Sequence, residues 1–311
     1  MPSVTLAESA KLALNDLVAG VIEQVITVNH FFQVLPFDGI EGNALAYNRE
    51  NVLADVQVAG VDDTITAKAA ATFTNVTSSL TTILGDAEVN GLIQSTRSGD
   101  GNDQTATQIA SKAKSVGRLY QDQLVNGTGA ANQFTGLLAL ASAGQKIIQD
   151  TAGVTTNGGP LSFAKLDELI DLVVDKDGEV DYLMMHARTL RSYLALLRAL
   201  GGASVGDVVE LPSGKQIPAY RGIPIFRNDW IPTNQTQGSL ITGTTVIAGT
   251  IDDGSRTHGI AGLTAAEMAG IQVEHVGVSE TKDNHIYRVK WYCGLALFSD
   301  RGLALLQGVN N

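Results

Sequence analysis

The sequence predicts an α+β fold with a long extended hairpin, and three observations carry that prediction. Asn43 to Leu84 reads as extended strand, rich in Thr and β-branched residues but poor in large apolar groups. Asp103 to Asn126 repeats apolar residues at steps of three and four, the spacing of a long amphipathic helix. After Gly259 the pattern turns mostly to strand, and Tyr287, Val289, Trp291, Cys293, Leu295 and Leu297 alternate strictly between His285 and Phe298. A polar two-stranded ribbon is marginal in water by itself, so the hairpin points to assembly with another chain.

In chain order, Thr5 to Val34 carries Leu6, Leu14, Leu17, Val21 and Val25 near helical spacing, with Ser3 or Thr5 as its cap. It reads equally as an arm lying on a neighbour or as a helix packed on its own domain. His30 to Phe37 is an extended aromatic lead-in, ended by Pro36. In the hairpin, Leu45, Tyr47 and Arg49 alternate with Ala44, Ala46 and Asn48; Gly60 to Asp63 offers a turn, and Ile65 to Leu84 returns. Gly85 to Gly91 and Ser98 to Asn102 read as punctuation on the way out. The helix from Asp103 is capped by Asn102 or Asp103 and stopped by a left-handed Asn126-Gly127. Its small face (Ala106, Ala110, Ala113, Gly117) predicts close packing, and at about 1.5 Å per residue it runs roughly 35 Å.

Phe134 to Asp253 alternates helix and strand. Ser162 caps a helix with Leu161 and Leu166 at staple positions. Val180 to Met185 is a buried strand, and Thr189 to Leu200 a second helix stopped by Gly201-Gly202. Ile223 to Phe226, Ser239 to Ala248 and Leu303 to Leu306 are further strands.

With 44% apolar and 17% charged residues the chain suits a folded core, and 311 residues allow one large domain or two. The single cysteine, Cys293, excludes an internal disulfide framework and fits a reducing compartment. No run reaches the roughly 20 apolar residues that span a bilayer, and Met1 to Ser9 carries no basic leader, so neither a membrane nor a signal peptide is expected. Asp38 to Asp103 holds ten carboxylates against Arg49, Lys68 and Arg97, so this segment carries most of the net charge of −11. Such a chain is no dedicated nucleic-acid binder. The acidic segment is either a solvated surface or a face that meets basic residues of a neighbour.

No catalytic, cofactor or metal site emerges. Asp100 to Asp103 lacks the glycine of a calcium loop, and Ser111 stands where a bidentate glutamate belongs, so a turn and helix cap explain it better. The five histidines (His30, His186, His258, His275, His285) lack the i, i+4 spacing of a helical zinc site. Glycine-flanked nucleophile elbows, phosphate loops and dinucleotide fingerprints are absent. Cys293 sits on an apolar strand face and reads as a core thiol. Arg188, Arg191 and Arg198 share or border one helix face: a solvated face, or one that meets a neighbour's acidic residues or packaged nucleic acid.

The order of elements, with the segments Leu35 to Phe37, Asn126 to Gly129, Phe134 to Leu137, Tyr220 to Asp229, Ile241 to Thr245 and Lys290 to Leu297, resembles tailed-bacteriophage major capsid proteins of the Hong Kong 97-type fold. The resemblance covers nearly the whole chain. It implies an N-terminal arm (1–37) and an E-loop hairpin region (38–91) lying over an adjacent subunit. It further implies a peripheral domain with a long spine helix (92–130 and 263–295) and an axial domain (131–262 and 296–311). The implied function is structural and non-enzymatic: self-assembly of pentamers and hexamers into an icosahedral shell around a phage genome, in the virion and, during assembly, the host cytoplasm.

The expected contact residues between subunits are Tyr47, Arg49, Lys68, Phe73, Val76, Arg188, Arg191 and Arg198. Lys68 is the one candidate for the lysine cross-link of some family members, though an ordinary surface lysine is the simpler reading. The resemblance implies partners besides the chain itself: a separate scaffolding protein, because no long charged helical extension is present, a portal, a decoration protein, and packaged DNA touched without sequence preference. An encapsulin-type nanocompartment resembles the same fold and encloses enzymes instead of a genome; an α+β enzyme is the reading from another class.

Overall fold

A computed structural model describes residues 30–97, 103–130, 132–150, 157–174, 178–199, 208–211 and 214–310. The helix expected over Thr5 to Val34 lies almost wholly outside them, as do Asp100 to Asn102 and the Gly201-Gly202 stop. What is described of the aromatic lead-in is a 3-10 turn, His30–Gln33, in place of an extended segment. Phe31 is buried there against Tyr182 and Phe226, with ring centroids 4.9 and 5.5 Å away. Tucking that ring into the core explains why the backbone coils.

The fold is mixed α+β, as predicted. Strands β1 (Phe37–Ile40), β4 (Thr81–Asn90), β12 (Ile260–Ala265), β13 (Gln272–Val278) and β14 (Asn284–Leu297) form a five-stranded sheet with β14 as its axis. On one edge of β14, β4 runs antiparallel from Asn284↔Asn90 to Cys293↔Thr81. On the other edge β13 and then β12 pair end to end, and β1 joins β12 in parallel. Thr81 to Asn90 therefore does not continue the hairpin's return, and Gly85 to Asn90 is strand rather than punctuation. The local pattern Thr-Thr-Ile-Leu-Gly-Asp suits either role; the long β14 edge decides it by pairing all ten residues.

Helix α1 (Gly91–Arg97) leads toward α2 (Gln104–Asn126), whose start is capped by Asp103: its carboxylate accepts from Thr105 N at 2.9 Å and Ala106 N at 3.4 Å. Gln94 donates to the same carboxylate, and this bond first, with the backbone amides, holds Asp103 below the usual carboxylate range. The buried side of α2 is Val116, Tyr120, Leu124 and Val125, and of the small stripe Ala113 alone packs against that core. Ala106 and Ala110 are exposed, and nothing lies within 4 Å of where a Cβ on Gly117 would stand. Large side chains hold the helix because they displace more water from the sheet than alanines can. The stop at Gly127 is not left-handed, with φ −55° and ψ 131°. Glycine is needed there because a Cβ would sit 2.3 Å from the Phe134 carbonyl oxygen.

An eight-stranded sheet, in the order β5-β15-β11-β6-β9-β8-β7 with β10 beside β11, forms the second layer system. Its strands are β5 (Lys146–Ile148), β6 (Tyr182–Met185), β7 (Val208–Glu210), β8 (Gln216–Tyr220), β9 (Ile223–Arg227), β10 (Gln235–Gln237), β11 (Leu240–Gly249) and β15 (Leu303–Val309). Both faces of its centre are covered, which is why Tyr182-Leu-Met-Met185 reads as an unbroken apolar run. Tyr182 and Met184 face a core shared with Phe31, Leu124, Leu137 and Leu305. Leu183 and Met185 face helices α4 (Phe163–Val174) and α5 (Ala187–Ala199) through Leu166, Leu169, Ile170 and Tyr193. Short helix α3 (Leu137–Leu140) sends Leu137 into the first of these cores.

The first core runs between the two sheets, because Val116, Tyr120 and Leu124 of α2 also meet Val289, Cys293 and Leu295 of β14. The alternation read from His285 to Phe298 is this face. Burial pushes the Cys293 thiol up to about 12, consistent with a core role. The opposite face of the same sheet (Ile40, Ala261, Leu263, Ala296, Phe298) packs on Leu45, Tyr47 and Leu80.

Candidate assembly surface

The hairpin of β2 (Ala44–Val52) and β3 (Thr72–Ser79) is a two-stranded sheet of its own, in register from Ala44↔Ser79 to Glu50↔Phe73 and shifted by a bulge before Val52↔Thr72. Its base is pinned to its own chain. Tyr47 Oη donates to the Leu297 carbonyl at 2.6 Å, and its ring lies 5.3 Å from Phe298. Arg49 Nε donates to the Phe298 carbonyl at 3.0 Å, while its guanidinium also bonds the Leu297 carbonyl and forms an ion pair with Asp300. Tyr47 and Arg49, expected to meet a neighbour, thus spend their polar groups inside the subunit and aim the hairpin away from it.

Beyond Val52 the chain leaves the ladder, and the loop to Ala71 is organised by one amide. Gln57 Oε1 accepts from Thr66 N at 2.6 Å, Thr66 Oγ1 at 2.8 Å and Ala67 N at 2.8 Å. Its Nε2 donates to the Thr64 carbonyl at 3.1 Å. Asp62 takes a left-handed φ of 66°, and Asp63 accepts from Gly60 N at 2.5 Å to close the apex. This tethered loop presents Val56, Val58 and Val61 at 87%, 104% and 95% exposure. Leu53, Ile65 and Phe73 are exposed beside them, Lys68 is exposed, and Val76 is half-buried. Fully burying a valine gains roughly 1.5 kcal/mol or more, so the three valines of this preformed loop are apolar surface that a contact would stabilise.

Strand β13 forms a second unsatisfied surface. Both of its faces are open, and Val273, Val276 and Val278 are about half exposed, with Met268 and Ile271 beside them. A bulge between His275 and Gly277 interrupts its register with β14. The third predicted group, on α5, divides. Arg188 is half-buried and donates to the Thr242 carbonyl at 2.5 Å, whereas Arg191 and Arg198 are exposed. The apical loop's dependence on Gln57 and the openness of β13 escaped sequence reading; Val56-Gln-Val58 beside a Gly-Val-Asp-Asp turn was the available signal for the first.

A cavity of about 790 Å³ lies between α2, α5, the β8–β9 hairpin and the 3-10 turn at His30. No cluster of three His, Cys, Asp or Glu among the described residues could hold a metal ion, and no described helix is long and apolar enough to cross a membrane.

Comparison with known proteins bears on this geometry. No curated protein sequence matches the chain significantly. Among solved structures, the holo-SrpI encapsulin complex of Synechococcus elongatus PCC 7942 is similar with a TM-score of 0.73 at 18% identity, covering 99% of this chain and 97% of that one. The capsid of cyanophage A-1(L) is similar with a TM-score of 0.71 at 13% identity, covering 99% and 100%. The capsid of a native GTA particle follows with 0.64 at 13% identity, covering 98% of each chain. Likeness at these identities shows the fold, which is the Hong Kong 97-type fold of capsids and encapsulins. Residues 99–311 match the family model described as type 2A encapsulin shell protein SrpI-like. With a pinned hairpin, an open β13 and that match over most of its length, the chain belongs to the SrpI-like family of type 2A encapsulin shell proteins, shell-forming proteins of the Hong Kong 97-type fold.

Proposed function

We propose that the chain builds an encapsulin nanocompartment, a closed shell around protein contents, rather than a phage head around a genome. The observation that carries this reading is the match of residues 99–311 to an encapsulin shell family. It reverses the phage-head reading that the order of elements suggested. The similarity to the cyanophage capsid keeps the head reading as the second one.

In this proposal the hairpin within 38–91 lies over an adjacent subunit and 1–37 is an arm. Residues 92–130 with 263–295 form the peripheral domain, and 131–262 with 296–311 the axial domain that gathers around the symmetry axes. Lys68, Phe73, Val76, Arg191 and Arg198 face neighbours, while Tyr47, Arg49 and Arg188 hold those surfaces from within. Repeated heterologous contact of this kind closes when the rotation between copies is right.

The test is electron microscopy of the protein expressed alone, with the absorbance ratio of the purified particles. Closed shells that form without a scaffolding protein and carry no nucleic acid are the expected result. Shells that require a scaffold and fill with DNA favour the head; a monodisperse monomer sinks both.

A further inference from the structure

We propose that His275 and His285, neighbours across strands β13 and β14, bind a late first-row divalent ion (Cu²⁺, Ni²⁺ or Zn²⁺) that clips β13 to its sheet. The two imidazoles stack with ring centroids 5.9 Å apart and an interplanar angle of 30°. His275 is exposed and His285 half-buried, and the Tyr287 ring lies 4.7 Å from His275.

The ring nitrogens single this pair out. Of the five histidines, His30 meets Lys215 through Nε2, His186 Nδ1 accepts from Arg188 N, and His258 Nδ1 meets Thr257 Oγ1. Among the described residues, no hydrogen bond or ion pair engages a ring nitrogen of His275 or His285. Adjacent imidazoles with open nitrogens are the donors that Cu²⁺, Ni²⁺ and Zn²⁺ favour. Metal–nitrogen bonds of about 2.0–2.1 Å put the ring centres roughly 5 Å apart when two imidazoles share one ion. Rotation about the soft Cβ–Cγ bonds closes the observed separation to that value without moving the backbone.

The sheet fixes this arrangement. His275 stands opposite Tyr287, and His285 stands opposite Val278 on β13 and Val89 on β4. Val273, Val289 and Ala87 complete that face around the pair, so no charged side chain of the three strands competes for the imidazoles there. The sheet's ion pairs, Arg288 with Asp86 and Lys290 with Glu274, lie on the opposite face. A site of imidazoles without carboxylates does not suit Mg²⁺ or Ca²⁺, which take oxygen ligands. Two protein ligands leave the remaining positions of the ion to water, so the bound ion is exchangeable.

Position gives the ion its effect. Among the described strands β13 pairs with β14 alone, and both of its faces are open. A bulge between His275 and Gly277 interrupts that one ladder, with Gly277 at a φ of 129°. His275 precedes the bulge, and His285 is opposite Val278, which follows it. An ion shared by the two spans the irregular stretch, and because it needs both strands in place it stabilises the paired state by mass action.

The test titrates Ni²⁺ into the untagged full chain by isothermal titration calorimetry, with amide hydrogen exchange as the second reading. One saturable ion per chain is expected. His275→Gln and His285→Gln each weaken it about tenfold or more, since losing even a group that supports a metal ligand costs that much. Saturating Ni²⁺ slows exchange over 272–278 in the parent and in neither variant. His258→Gln, at an exposed histidine elsewhere, changes neither reading, and Mg²⁺ gives no binding. Circular dichroism checks that each variant is folded. No saturable binding, equal loss with His258→Gln, full binding by either variant of the pair, or β13 exchange that Ni²⁺ leaves unchanged overturns the proposal. Both ligands come from one chain, so failure leaves the encapsulin reading standing.

Discussion

The centre of the eight-stranded sheet and the β2–β3 hairpin are both extended chain, yet they meet opposite fates. In β6, β11 and β15 the side chains of both faces are buried, from Leu183 and Met184 to Leu305 and Leu306, with helices α4 and α5 on one side and the shared core on the other. In the hairpin only the base touches the subunit, through Leu45, Tyr47 and Arg49, and the apex displays its valines to solvent. Burial in the first region drives folding of the subunit; exposure in the second is free energy still to be gained, and only another surface can supply it. The same β-rich composition is thus buried where helices cover it and open to solvent where nothing does, and the proposed contacts between subunits fall on the open part.

That contrast can be broken most sharply by removing the apex. Deleting Ala54 to Ala70 is expected to abolish closed shells while the subunit keeps its thermal midpoint, since these residues contribute little to any core; intact particles from the deletion would refute the hairpin's role. Leu305→Ala should do the reverse. It leaves a cavity beside Tyr182 and Met184 and costs about 2–5 kcal/mol of subunit stability, read by denaturant unfolding.

Arg49→Ala probes the joint between the two regions. It removes the bonds to the Leu297 and Phe298 carbonyls and to Asp300. A loss of about 1–3 kcal/mol is expected, with faster amide exchange confined to β2 and β3. Unchanged exchange there would show that Tyr47 and its packing on Phe298 suffice as the anchor.

The smallest effect concerns the β4–β14 seam, where Asp86 accepts from Arg288 Nε at 2.7 Å and Nη2 at 2.8 Å. The Arg288 bond first holds the Asp86 carboxyl below its ordinary value. A carboxylate depressed by folding stabilises above its unfolded value, and that stability is lost as pH falls through the folded one. Acid melting curves below about pH 4 should therefore be shallower for Asp86→Asn than for the parent, and identical curves would assign the seam's strength to backbone pairing alone.

Elements with strong local signals are legible in the amino-acid pattern. The α2 helix, the Asp103 cap, the Ser162 helix, the buried Tyr182 strand and the alternation of β14 all follow from spacing that one segment carries by itself. Where reading failed, the deciding partner was distant in sequence. Thr81 to Asn90 looks like more hairpin until β14 pairs with it, and Ala106, Ala110 and Gly117 look like a packing face until Tyr120 and Leu124 take the sheet. Of the contact candidates, Lys68, Phe73, Arg191 and Arg198 stand exposed, whereas Tyr47 and Arg49 turn inward because the carbonyls they satisfy lie some 250 positions away in the chain.

By itself, then, the sequence determined the α+β class, the long helix and the polar hairpin, because periodicity and composition are local properties that a chain carries unfolded or folded. Only the tertiary structure decided which strand closes the five-stranded sheet, which face α2 buries and where the hairpin is pinned. Those are outcomes of competition among distant partners for the same surface, settled by shape and burial.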